Sequence, residues 1–161
     1  MNDLKIRQMK RTDLKELSRL YVKVYVCFDV GERWDIKSAH ALLLHWFKRQ
    51  PDLCFVAELK GRLAGAFVTG IKPWCDGNHL FDGEVFVDPD VQAKGIGTEL
   101  SIAVYEKAVK KYKAVCFEAT TFKLKKHPLS WYKSLGFKEV DYLTLISGDL
   151  KEALGKLKAR R

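Results

Sequence analysis

The chain has 161 residues, 47% hydrophobic and 30% charged, which suits one folded domain and excludes a disordered polyelectrolyte. Its 29 Lys and Arg against 20 Asp and Glu give a formal net charge of +9, which draws in anions: nucleic acid, phospholipid heads or a polyphosphorylated cofactor. No run approaches the ~18 apolar residues of a membrane span, and Met1-Asn2-Asp3-Leu4-Lys5 has no apolar signal core, so a cytosolic protein without membrane partner is expected.

Residues 4–9 alternate apolar and polar with period two, the mark of a half-buried strand. Thr12 or Asp13 then caps a helix, Asp13 and Glu16 having capping-box spacing, with Leu14, Leu17, Leu20 or Tyr21, and Val24 on one face. A second helix starts near Asp35 or Ser38 and reaches Arg49, with Ala39, Leu42, Leu43 and Trp46 inward and Pro51 as its stop. Residues 53–59 and 62–71 form a hairpin about Lys60-Gly61. Residues 72–79 read as a loop because Pro73, Asp76-Gly77 and Asn78 are breakers. A strand over 81–87 halts at Asp88-Pro89, a helical period covers 97–112, and 114–120 reads as a buried strand. Pro128 opens a short helix that ends at Leu135 with Gly136 as its left-handed cap. Residues 137–140 and 142–147 read as a closing strand pair, and a basic amphipathic helix follows. The order β-α-α-β-β-β-α-β-α-β-β with a C-terminal helix predicts a single α/β domain over 1–161, a mixed sheet with helices on its faces.

Cys27, Cys54 and Cys116 sit in apolar runs and are expected to be buried as small hydrophobes, while Cys75 falls in the expected loop. No two cysteines form C-x-x-C, and His40 and His45 lack a metal-ligand partner pattern. No metal is expected.

The chemistry concentrates between Glu84 and Thr98. A strand runs into a proline turn, and Gly95 and Gly97 then open a helix whose N-terminus presents unpaired N–H groups and positive dipole. Lys94 adds charge, Thr98 a hydroxyl, and glycine lets the backbone approach an anion. The segment is built to hold phosphate. A P-loop requires Lys-Ser/Thr after the second glycine, whereas Lys94 precedes both. A dinucleotide fingerprint requires a third glycine where Leu100 stands; Glu118 is its acid at the right distance, but too few βα units follow.

Gln92-Ala93-Lys94-Gly95-Ile96-Gly97 after Val87-Asp88-Pro89, with Trp131-Tyr132-Lys133-Ser134-Leu135-Gly136-Phe137 further on, resembles the GNAT superfamily of acyl-CoA-dependent N-acyltransferases. The resemblance implies the GNAT-like fold over nearly the whole chain and acetyl-CoA as cosubstrate. Backbone amides from Gln92 through Lys94, Gly95, Ile96 and Gly97 to Thr98 would grip its pyrophosphate. Its pantetheine arm would lie along Phe86 and Val87, where two strands splay, and an N–H near Val87 would polarise the thioester. Tyr132 matches the tyrosine that protonates the departing thiolate. Lys125 and Pro128 replace the family's usual Asn and Ala, so Lys123, Lys125 and Lys126 are candidates to meet the phosphates instead.

Amine acylation requires a neutral nucleophile, and an amine with pKa near 10 is protonated at pH 7. Glu84 is the candidate general base; a solvent-facing strand residue is the alternative, and Glu118 a substitute. Asp29, Glu32 and Trp34 lie between the first two helices, where the family builds its acceptor site. An acidic and aromatic lip suits a cationic amine, and a solvated loop with Trp34 covering the core fits the same residues. The expected function is N-acetyl transfer from acetyl-CoA to a primary amine by direct attack in a ternary complex, the acceptor a small cationic amine. The alternatives are a protein N-terminal or lysine acetyltransferase, or a non-catalytic acyl-CoA-responsive module binding nucleic acid or an acidic protein. Expected partners are a small-molecule or peptide amine rather than nucleic acid, the protein being a monomer or homodimer.

Overall fold

The computed structural model describes residues 3–160. Its contacts divide the chain into two compact units, Met1–Thr120 and Thr121–Arg161, each described by itself.

In the first unit five strands form one sheet in sequence order: β1 (Leu4–Gln8), β2 (Cys54–Leu59), β3 (Arg62–Trp74), β4 (Gly77–Val87) and β5 (Ala114–Glu118). The first four pair antiparallel, and β5 joins β4 in parallel. Helices α1 (Leu14–Phe28) and α2 (Ile36–Arg49) bury Leu17, Tyr21, Leu43 and Trp46 against Val56, Ala66, Val68 and Phe86 on one face. On the other face α3 (Ile96–Tyr112) buries Ile96, Leu100, Val104 and Ala108 against Ala57, Ala64, Phe67 and Leu80. The period-two alternation of the strands and the 3.6-residue period of the helices therefore make two separate apolar layers, one on each side of the sheet.

The second helix is capped as its sequence indicates: Asp35 Oδ1 accepts from the Ser38 N–H at 2.6 Å and Ser38 Oγ accepts from the Asp35 N–H at 3.0 Å. Asp13 is used otherwise than expected. Instead of pairing with Glu16 it accepts from the Lys10 N–H and from the two terminal guanidinium nitrogens of Arg7, and a short 3₁₀ turn precedes α1.

Residues 72–79 are not a loop. β3 runs on to Trp74 and β4 starts at Gly77, leaving only Cys75 and Asp76 as the turn. Pro73 is tolerated because β2 pairs no further along β3 than Val68, so beyond it β3 has one neighbour and a missing N–H can fall on the free side. β5 is half-exposed rather than buried, being the edge strand, and Cys116 on it is exposed. Cys27 is exposed in the last turn of α1; of the three cysteines expected inside, only Cys54 is buried.

The second unit contains α4 (Lys126–Ser134) and α5 (Leu150–Lys158). Helical backbone in α4 begins at Pro128, since His127 is extended. Gly136 takes φ +90 as expected, its N–H donating to Lys133 O while the Phe137 N–H donates to Tyr132 O. This double bond pattern and the Tyr132–Phe137 ring contact at 5.5 Å are a Schellman cap. Residues 137–147 take no strand conformation, and Tyr142, Leu145 and Ile146 are exposed. Alternation makes a strand only where a neighbouring edge takes up the backbone N–H and C=O groups, and among the described residues no strand is paired with this segment.

Candidate active site

Glu84 lies on β4 with its side chain on the α1 face, like Phe86 two residues on. Helix α1 lays Tyr21 and Tyr25 over it. Their hydroxyls donate to the same carboxylate oxygen, Oε2, at 3.0 and 3.1 Å. The phenol rings stack at 4.5 Å between centroids, Trp34 packs edge-on to Tyr21 at 5.2 Å, and Phe86 does so at 5.1 Å. Trp34 in turn donates its indole N–H to Glu32 Oε2 at 2.8 Å. Burial raises Glu84 from 4.5 to about 7, the two phenol hydrogen bonds oppose that rise, and the negative charges of Asp82 and Glu32 add to it. A carboxylate poised near neutrality in an aromatic setting has the proton affinity that a general base requires.

Just before Glu84 the strand is broken by design. Asp82 and Gly83 take φ +50 and +111, and together they face Thr69 across β3, a β-bulge. A Cβ on Gly83 would lie 2.2 Å from Val68 O and 2.8 Å from Thr69 Cβ, so only glycine fits. Thr69 Oγ1 donates to Asp82 O at 2.7 Å and holds the bulge. The ladder to β5 stops here, at Phe81 opposite Glu118, so from Asp82 to Val87 no described strand pairs with this edge of β4.

Which groups line that edge follows from the register. The Asp88 N–H donates to Ala64 O at 2.8 Å, and in an antiparallel pair alternate residues turn their polar groups to opposite sides. Val87 therefore points its N–H and C=O to the open edge. Its carbonyl there accepts from Gln92 Nε2 at 3.1 Å, so Gln92 braces the turn with its side chain. Lys23 on α1 clamps the same turn through Asp88 at 2.6 Å and Asp90 at 2.7 Å.

Beyond the turn Ala93 and Gly95 take φ +60 and +76, and α3 starts at Ile96. No side chain caps this helix N-terminus, so the N–H groups of Ile96, Gly97 and Thr98 are available to an anion. A Cβ on Gly97 would touch only Val87 Cγ2, at 3.8 Å. Among the described residues nothing approaches closely enough to require glycine there; a ligand lying against the backbone would. Lys94 and Thr98 are exposed beside it. The residues present fit a diphosphate on the amides and a thioester arm along Val87.

A family model described as the acetyltransferase (GNAT) family matches residues 14–137. The chain belongs to that family.

An uncharacterized N-acetyltransferase of Methanocaldococcus jannaschii is 33% identical over 143 residues, covering 83% of this chain and 60% of that relative. Thus the chain spans about 60% of the relative's length. A possible acetyltransferase from Clostridium difficile 630 superposes with TM-score 0.72 at 20% identity, covering 92% of this chain and 99% of that one. Aminoglycoside N-acetyltransferase AAC(6')-Iy, solved with CoA, does so with TM-score 0.69 at 20% identity, covering 90% and 94%. At these identities the two structures share the GNAT fold with this chain.

Within the GNAT chain the sequence-derived residues separate by place. Glu84, Glu32 and Trp34 come together with Tyr21 and Tyr25; Phe86, Val87 and the segment 92–98 form the adjoining edge and helix terminus. Asp29 is used in the backbone, ending α1 at φ +45 with its N–H on Tyr25 O, and its side chain is exposed. Glu118, named as a substitute base, is held elsewhere, at the end of the β4–β5 ladder. Lys72 bonds it and lowers its pKa, and His79 Nδ1 lies 3.2 Å away. Tyr132 stands on α4 in the second unit, against Trp131 and Phe137. The residues missed were Tyr21 and Tyr25. Their spacing of four on one helix face was the available signal, but nothing in it distinguished a carboxylate clamp from ordinary core. No group of three or more His, Cys, Asp or Glu able to hold a metal exists among the described residues, and no described helix is long and apolar enough to cross a membrane.

Proposed function

We propose that this GNAT protein transfers an acetyl group from acetyl-CoA to a primary amine, donor and acceptor being held together in one ternary complex. The observation that carries the reading is Glu84: a carboxylate titrating near neutrality, three residues before the Val87 N–H on an unpaired strand edge. Acetyl-CoA supplies the activated acetyl group as a thioester. The amides of Ile96, Gly97 and Thr98 bind its diphosphate, and the Val87 N–H donates to the carbonyl oxygen as negative charge develops there. Glu84 accepts the proton that the acceptor ammonium must lose before its nitrogen can attack. Tyr132 is assigned the proton given to the leaving thiolate, on its match to the family motif.

The acceptor proposed is a small cationic amine. Glu32 and Glu84 supply negative charge, and the faces of Trp34 and Tyr25 favour a cation. An aminoglycoside acetyltransferase is among the proteins that share the fold, which agrees with an amine acceptor. A lysine side chain or protein N-terminus carries the same charge.

The deciding experiment is release of free thiol from acetyl-CoA across polyamines, aminoglycosides, amino acids and peptides. Release that depends on a cationic amine is expected. Hydrolysis with no amine, joined to salt-sensitive retention of DNA or RNA, would replace the enzyme by an acyl-CoA-responsive binding module.

A further inference from the structure

We propose that Tyr21 and Tyr25 are positioning residues for Glu84: by donating to one oxygen, Oε2, they fix the rotation of the carboxylate and reserve Oε1 as the atom that takes the acceptor's proton. The inference rests on the proposed role of Glu84 as base and adds which atom acts and what holds it.

A glutamate left to itself turns freely about its last bond and offers either oxygen. Here the choice is made by two donors from one helix, four residues apart and so on the same face. Neither phenol can swing away. Tyr21 is fully buried and gripped edge-on by Trp34 and Phe86, and Tyr25 is stacked on Tyr21 with Phe28 at 6.4 Å and Trp34 at 6.0 Å. Both hydroxyls remain donors over the working pH range, because burial and the neighbouring Glu84 charge push them above their ordinary value of 10. In the transfer itself an N–H bond of the acceptor ammonium breaks, an O–H bond forms at Oε1, and the electron pair stays on nitrogen for attack.

The groups facing Glu84 pull in opposite directions. Asp82 on its own strand and Glu32 after α1 hold the proton on; the two phenols, by stabilising the ionised form, let it go. Removing a phenol therefore raises the pH at which the base becomes active. Phenylalanine keeps the ring packing and deletes only the donor.

The test follows the Glu84 carboxyl by carbon-13 NMR in the free protein, beside the pH profile of kcat/KM in the thiol-release assay. For the unaltered protein a midpoint near 7 is expected. In Tyr25→Phe the midpoint and the acid limb of the profile should both move up by about one pH unit, the worth of one hydrogen bond to a charge. Tyr21→Phe should act in the same direction, and Tyr25→Phe alone suffices if that variant does not fold. A slower or less stable enzyme with an unmoved carboxyl midpoint, while Glu84→Gln still abolishes amine-dependent thiol release, overturns this inference alone. A midpoint that moves while Glu84→Gln leaves rate and profile intact overturns the base and with it the role of Oε1.

Discussion

At Glu84 the demands of folding and of chemistry oppose each other. Its carboxyl titrates near 7 in the folded protein against an ordinary 4.5, so between those values the folded chain holds a proton that the unfolded chain has lost. Stability therefore falls as pH rises from 4.5 to 7 and stays lower above 7, by about 3 kcal/mol. Glu84→Gln, whose amide oxygen still accepts from both phenols, should raise the thermal midpoint at pH 8, change it little at pH 4.5, and abolish amine-dependent thiol release. Equal stability at both pH values, read by calorimetry, would contradict the buried-base assignment. Tyr132→Phe keeps the ring contact that seals the α4 cap, so the fold should hold; turnover should drop by about 10²-fold or more with acetyl-CoA affinity nearly unchanged. Unaltered turnover with chemistry rate-limiting removes Tyr132 from the mechanism. The sequence marked Glu84 by the strand it occupies. The two hydroxyls that hold its carboxylate come from residues 63 and 59 positions away, a distance across which no local pattern speaks.

Between residue and molecule, two glycines divide the work of β4 and α3. Gly83 serves the fold, because any side chain would meet Val68 O. Gly83→Ala should cost at least about 2 kcal/mol in denaturant unfolding and, by flattening the bulge, extend the β4–β5 ladder into the edge that carries the Val87 N–H. Gly97 belongs to the ligand in the proposed function. Gly97→Glu has room within the protein and adds an acid to the first turn of a helix, which the dipole favours, so the variant should fold at least as well. It should lose acetyl-CoA binding by calorimetry, through steric block and repulsion of the diphosphate; retained affinity would place the diphosphate elsewhere. Helix α2 was legible as a helix from near Asp35 or Ser38 to Arg49, and the cap between those two residues settles its start at Ile36. The long β3–β4 hairpin was not. Pro73 and Asp76-Gly77 read as breakers, and only the end of β2 at Cys54 opposite Val68 leaves β3 an edge where proline is harmless.

For the molecule as a whole the net charge of +9 would favour the polyanionic cosubstrate of the proposed function. Raising ionic strength from about 0.05 to 0.5 M, where the screening length shortens to a few Å, should raise the KM for acetyl-CoA several-fold with kcat unchanged. A salt-independent KM would confine recognition to the backbone amides of α3. By itself the sequence determined the element order as far as α4, the two apolar faces of the sheet, and the turn and glycines of residues 87–97. These are set by periodicities and turn chemistry that span fewer than about twenty residues. Tertiary structure alone decided where β5 leaves β4, which cysteines are buried, that Gln92 braces Val87, and that two phenols share one oxygen of Glu84. Each of those depends on groups that meet only after distant strands and helices have packed, and a single chain of letters carries no distance between them.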